Sequence, residues 1–190
     1  MRRLTIRFNA PVVLVFAVLG LLALLLDGWT NGNTSWLLFS VYRSPLSDPL
    51  TYVRFFGHVL GHSNWSHYMN NMLLLLLVGP GVEEKYGHSR TFWFMVATAL
   101  LTGLIQFIFF PDTALLGASG IVFMLMILNS FTEMRKGEIP LTLILVVIFY
   151  LGGELLNGLF AQDNISQLTH IAGGILGLIF GFTVRTRRRR

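Results

Sequence analysis

Four side chains in this sequence have the chemistry of acyl transfer. Ser119 stands in the run Gly117-Ala118-Ser119-Gly120. A serine nucleophile needs a base within hydrogen-bond reach and open space for a carbonyl to approach its Oγ. Small neighbours supply that space, and glycine lets a backbone N–H turn towards a developing oxyanion. His170 is the natural base, because an imidazole titrates close to neutral pH. It lies one turn before Gly173, and Gly173, Gly177 and Gly181 follow at intervals of four. Such a face of small residues lets a second helix approach almost to backbone contact. His67 and Asn71 are four residues apart and share one helix face. An imidazole N–H and a side-chain amide both donate, so this pair could hold an oxyanion beside the Ser119 N–H.

Each of these residues also has a plainer reading. Small residues at a helix start serve close packing, a lone histidine can sit wetted at a surface, and a His/Asn pair can link helices by hydrogen bonds. His58, His62 and His67 are spaced four and five apart, which resembles a zinc-ligand run. No HExxH is present and no acidic ligand falls nearby, so neither metal nor cofactor is expected. A third triad member is not evident, since Glu154 and Asp163 have no support beyond their position. A Ser119–His170 dyad is the economical reading.

The elements that must position these residues are apolar. The chain is 54% hydrophobic and 12% charged, with a mean hydropathy of +0.65. Charge is far below the roughly 25% of soluble domains. The fold class expected is all-α: a polytopic membrane protein with six transmembrane helices in one domain, residues 1–190. Helices are expected over about 10–26, 64–82, 91–110, 114–134, 139–158 and 167–185, with an outer loop over about 28–63. Within that loop, Trp36 to Phe39 is too short to span and reads as an interfacial segment. Arg2, Arg3 and Arg7 precede the first run, but no small-residue cleavage site follows it, so it is read as a retained helix.

The basic residues set an orientation. With the N-terminus inside, all of the 14 Lys and Arg residues except Arg43 and Arg54 fall on the cytosolic side. An even number of helices returns the C-terminus to that side, so both termini are expected in the cytosol. The net charge of +5 thus reflects membrane topology and not a nucleic-acid partner. The Arg187–Arg190 tail is expected to contact anionic lipid headgroups. Lys85 and Lys136, the only lysines, are across the membrane from Ser119, which excludes a Ser-Lys pair. The sequence holds no cysteine, which excludes thiol nucleophiles and thiolate metal sites. In this topology helices 2, 4 and 6 run the same way. Their polar openings at His67/Asn71, Ser119 and His170 then share one level near the outer face.

These residues together resemble the rhomboid intramembrane serine proteases. Gly117-Ala118-Ser119-Gly120 resembles the family's G-x-S-G, and His170-Ile171-Ala172-Gly173 with Gly177 resembles its H-x-x-G-x-x-x-G. His58, His62, His67 and Asn71 resemble its histidine-rich opening of helix 2. Arg54 with Phe55 and Phe56 resembles a Trp-Arg element of the outer loop, while Glu83 and Gly87 match positions after helix 2. The likeness covers about Arg54 to Gly181. It departs at Val53, where the family usually has Trp, at Thr169, where Ala is common, and at Phe123, where a Tyr often stacks on the histidine. The resemblance implies a serine endopeptidase that cleaves transmembrane segments of other membrane proteins, in a bacterial cytoplasmic membrane, through an acyl-enzyme. It also implies a gate at helix 5 or at the last outer loop near 161–167, and leaves open which of the two it is. Two rivals remain open: a superfamily member that binds such segments without cutting them, and a small transporter using the outer histidines. No inverted repeat supports the transporter.

Overall fold

The computed structural model describes residues 8–134, 138–152 and 164–184. The helices there are α1 (Pro11–Trp29), α2 (Asn33–Leu38), α3 (Pro49–Gly57), α4 (Trp65–Tyr86), α5 (His88–Phe109), α6 (Ser119–Ser130), α7 (Leu141–Val146) and α8 (Asn164–Thr183). Short 3-10 turns follow α3 at His58–Leu60 and α6 at Phe131–Glu133, and α7 continues as a π turn over Val147–Leu151. Among the described residues the β structure amounts to one antiparallel bridge between Val41 and Leu115. The architecture is all-helical.

Local sequence explains several boundaries. Proline stands at the first turn of α1 and α3, where its missing N–H costs nothing. Asp48 caps α3 by accepting the Leu50 N–H at 3.0 Å, and Asn64 caps α4 by accepting the His67 N–H at 2.9 Å. Arg43 donates to the Phe107 and Ile108 carbonyls at 2.8 and 3.0 Å, satisfying the open C-terminal end of α5.

α1 and α5, of 19 and 22 residues, are each long and apolar enough to cross a membrane. α6 and the part of α8 over Gln167–Thr183 are apolar but shorter. The core lies where α4, α6 and α8 meet α1 and α5, around Met72, Leu75, Ile121, Met124, Leu125 and Leu128. α1 packs on α4 closely enough that a Cβ at Gly79 would lie 2.8 Å from Val13 Cγ2, and the Tyr68 hydroxyl donates to Ala17 O at 3.0 Å. At the far end of α4 the buried Glu83 carboxylate accepts the Val12 and Val13 N–H groups at 2.9 and 3.0 Å. It thereby caps the N-terminus of α1, where a negative charge meets the positive end of the helix dipole.

α1 and α4 run on to Trp29 and Tyr86, past the expected ends at 26 and 82, and three further differences from the sequence-based expectation bear on the site. The helix expected over 114–134 begins only at Ser119 and gives way to a 3-10 turn after Ser130. Its approach is held straight because Val41 and Leu115 exchange N–H···O bonds at 2.9 Å, and Gly117, at φ +128°, cannot continue a right-handed helix. The last helix is already formed at Asn164, where the described residues resume, so His170 lies inside it and not at its start. The outer loop expected over about 28–63 is largely helical, holding α2, α3 and the His58–Leu60 turn. Arg2, Arg3, Arg7, Arg135, Lys136, Arg185, Arg187–Arg190, Glu154, Asp163, the fifth helix beyond Gly152 and the loop over 161–163 lie outside the described residues.

Candidate active site

Gly117, Ser119 and Gly120 sit where α4, α6 and α8 converge. Gly117 is buried, in the positive-φ region, and its N–H donates to the His58 carbonyl at 2.9 Å. A Cβ there would lie 2.8 Å from His67 Nε2 and 4.0 Å from Asn71 Nδ2. Glycine is therefore required twice, for its backbone angle and because His67 fills the space a side chain would occupy. The half-buried Ser119 follows two residues later as the first residue of α6, at the positive end of that helix.

α8 lies against α6 along its glycines. A Cβ at Gly173 would collide with the Gly120 carbonyl, one at Gly177 would lie 2.6 Å from Met124 O, and one at Gly181 would enter the Phe131 ring. This contact brings His170 over the first turn of α6. The His170 imidazole stacks on Phe123 with ring centroids 4.4 Å apart and planes 8° from parallel. His67 and His170 are close enough to interact electrostatically across the site. Thr169 is 2% exposed, and its carbonyl would be 3.5 Å from a Cβ on Gly120.

Asn71 is 6% exposed, and its Nδ2 is buried with no hydrogen-bond acceptor among the described residues. A buried amide donor left open normally costs stability. Here it faces the Gly117 backbone, two residues before Ser119.

The other histidines stand behind this group. His58 Nδ1 lies 3.2 Å from Arg54 O and its Nε2 lies 3.2 Å from Thr102 Oγ1. His62 Nδ1 lies 3.1 Å from Leu60 O, and its ring meets His67 and Tyr68 edge-on at 5.1 and 5.4 Å. Burial pushes both imidazoles down to about 4, so both are neutral at physiological pH. Among the described residues no group of three His, Asp or Glu side chains is arranged to hold a metal ion.

Arg54 does not join the cluster. It pairs with Asp48 at 3.0 Å, donates from Nε to Leu37 O at 3.0 Å, and lays its guanidinium over the Tyr42 ring at 4.7 Å. It ties the outer loop together, while Val53 beside it is 46% exposed. Sequence reasoning missed three contributors. Asp48 was recoverable, because Asp before Pro is a helix-start signature. Thr102 lies between His58 Nε2 and the Cβ position of Gly120, and nothing in its own neighbourhood announces that. Ser63 lies 3.2 Å from His67 Nδ1, a contact made by the turn before α4.

The Rhomboid domain family matches residues 49–187. Rhomboid-related protein 2 of Mus musculus is 32% identical over 160 residues, covering 73% of this chain and 53% of that protein. Rhomboid protease GluP of Bacillus subtilis is 27% identical over 181 residues, covering 93% of this chain and 33% of its own length. Rhomboid protease GlpG of Salmonella choleraesuis is 29% identical over 140 residues, covering 72% and 50%. This chain belongs to the rhomboid family. It spans about half or less of the length of these curated relatives.

Proposed function

We propose that this chain is an intramembrane serine endopeptidase that cleaves transmembrane segments of other membrane proteins near the outer face of the membrane. Ser119 is the nucleophile and His170 its general base. The observation that carries the reading is the open, buried Asn71 amide converging with His67 Nε2 on the Gly117 backbone, beside a serine at a helix N-terminus. A structural serine has no use for an unsatisfied donor at that position; an acyl-transfer site has.

In this mechanism His170 takes the Oγ proton of Ser119 as Oγ attacks the scissile carbonyl. The tetrahedral oxyanion accepts hydrogen bonds from the Ser119 N–H, His67 Nε2–H and Asn71 Nδ2. His170 then gives the proton to the leaving amine, and the acyl-enzyme is hydrolysed by water activated by the same imidazole. Phe123 keeps the imidazole in plane. Neither a metal nor another cofactor has a step.

The placement that goes with this chemistry is a six-helix bundle in a bacterial cytoplasmic membrane, with both termini in the cytosol and lipids around its apolar faces. α1 supports it, since Val15, Val18, Leu19, Leu22, Leu25 and Leu26 are all exposed on a helix that is apolar all round. The test is cleavage of a fluorogenic transmembrane substrate by the purified protein. Activity in the wild type, lost in Ser119→Ala and His170→Ala with the fold retained, supports the reading. A Ser119→Ala protein that still cleaves refutes it.

A further inference from the structure

The residues that open α4 form a hydrogen-bonded chain leading to His67. Asn64 Oδ1 accepts the His67 backbone N–H at 2.9 Å, which fixes the end of the amide that faces the helix. Its Nδ2 therefore points away, and donates to Ser63 Oγ at 3.2 Å. Ser63 Oγ in turn lies 3.2 Å from His67 Nδ1. One lone pair of Oγ is thus taken by the Asn64 amide, and the hydroxyl proton remains to be directed. A neutral imidazole has one N–H and one bare nitrogen, so the partner at Nδ1 decides what Nε2 can do. Nε2 is the atom that lies against Gly117, 2.8 Å from where a Cβ would stand.

We infer that Ser63 is a positioning residue: its hydroxyl donates to His67 Nδ1 and holds the imidazole in the tautomer whose Nε2–H faces the oxyanion site. The inference rests on the oxyanion role proposed above for His67. The opposite tautomer would put a nitrogen lone pair against the oxyanion, repelling the charge it should hold. With Ser63 in place the orientation is set before substrate arrives, which is the preorganisation on which such donors depend. Asn64 contributes indirectly, by holding Ser63 Oγ in place through its Nδ2 while its Oδ1 caps the helix that carries His67.

The test uses the full chain in detergent micelles, labelled with 15N-histidine, with the His67 signals assigned by their loss in His67→Gln. The wild type is expected to show a bare Nδ1 and a protonated Nε2 at His67. Ser63→Ala is expected to give mixed tautomers and to lower kcat about two- to tenfold, the worth of one net hydrogen bond, with KM unchanged. Ser63→Thr, which keeps the hydroxyl, restores both. A wild-type His67 carrying its proton on Nδ1, or a Ser63→Ala protein with unchanged tautomer and kcat, overturns the inference. The nitrogen signals do not depend on turnover. A protein that shows the Ser63-dependent tautomer and cleaves nothing would keep the positioning role and refute the proteolytic reading instead.

Discussion

Phe123 lies flat on the His170 imidazole, with ring centroids 4.4 Å apart and planes 8° from parallel. The two residues come from α6 and α8, and their stacking joins the helix that starts at Ser119 to the helix that carries the base. A face-on aromatic restricts rotation of the imidazole through its ring face and takes neither nitrogen itself. Phe123→Ala is expected to lower kcat several-fold to tenfold, in line with about 0.5–1.5 kcal/mol for an aromatic pair. Phe123→Tyr, which keeps the ring, is expected to stay near wild type. Steady-state cleavage of a fluorogenic substrate distinguishes them.

Gly117→Ala meets two obstacles at once. The added Cβ sits 2.8 Å from His67 Nε2, and the backbone at φ +128° is one that L side chains rarely adopt. Strain of about 1–3 kcal/mol is expected, together with displacement of the His67 ring. Activity should fall to background while a cooperative thermal transition remains. Wild-type kcat in this variant would show that His67 does not act at the Gly117 backbone.

The Glu83 carboxylate is 1% exposed and accepts from Val12 N, Val13 N and His88 Nδ1, the last at 2.6 Å. Glu83→Ala leaves the first amides of α1 without acceptors in a buried place. A loss of about 2–4 kcal/mol is expected, since hydrogen bonds to charged groups are worth more than neutral ones. Glu83→Gln keeps one acceptor oxygen and should lose less. Thermal unfolding in detergent reads both.

His58 and His62 make stability depend on pH in a defined window. Burial lowers each to about 4 from the ordinary 6.5. The unfolded chain therefore binds more protons than the folded one between those values. Stability is fully present above about pH 6.5 and falls as pH drops towards 4, where the loss levels off. At about 1.4 kcal/mol per unit of displacement, the loss for the pair is at most about 7 kcal/mol. Denaturant unfolding from pH 7.5 to 4 should show a falling midpoint, and a flat profile would contradict the burial of these rings.

What could be read in the sequence was local, and what could not was long-range. A polar residue inside an apolar run announces itself, and so does a glycine every fourth residue, which is why Ser119, His170 and the α8 glycines stood out. That Gly173 should lie against the Gly120 carbonyl is a meeting across 53 residues, and spacing along one helix carries no information about its partner. The same holds for the start of α6. Periodicity extends the apolar run back to Ala114, but the bridge from Leu115 to Val41 removes 114–118 from the helix. Glu83 reads as a polar helix end near the cytosol. Its capping of α1 lies 70 residues away and depends on how the two helices pack.

The most direct test of the central claim is covalent labelling of the folded protein by a fluorophosphonate, with the modified residue located by mass spectrometry. An adduct on Ser119 is expected, strongly reduced in His170→Ala and slowed in Asn71→Ala, with all three proteins retaining the same thermal transition. An adduct on another serine, or labelling of Ser119 that is indifferent to His170, would contradict it.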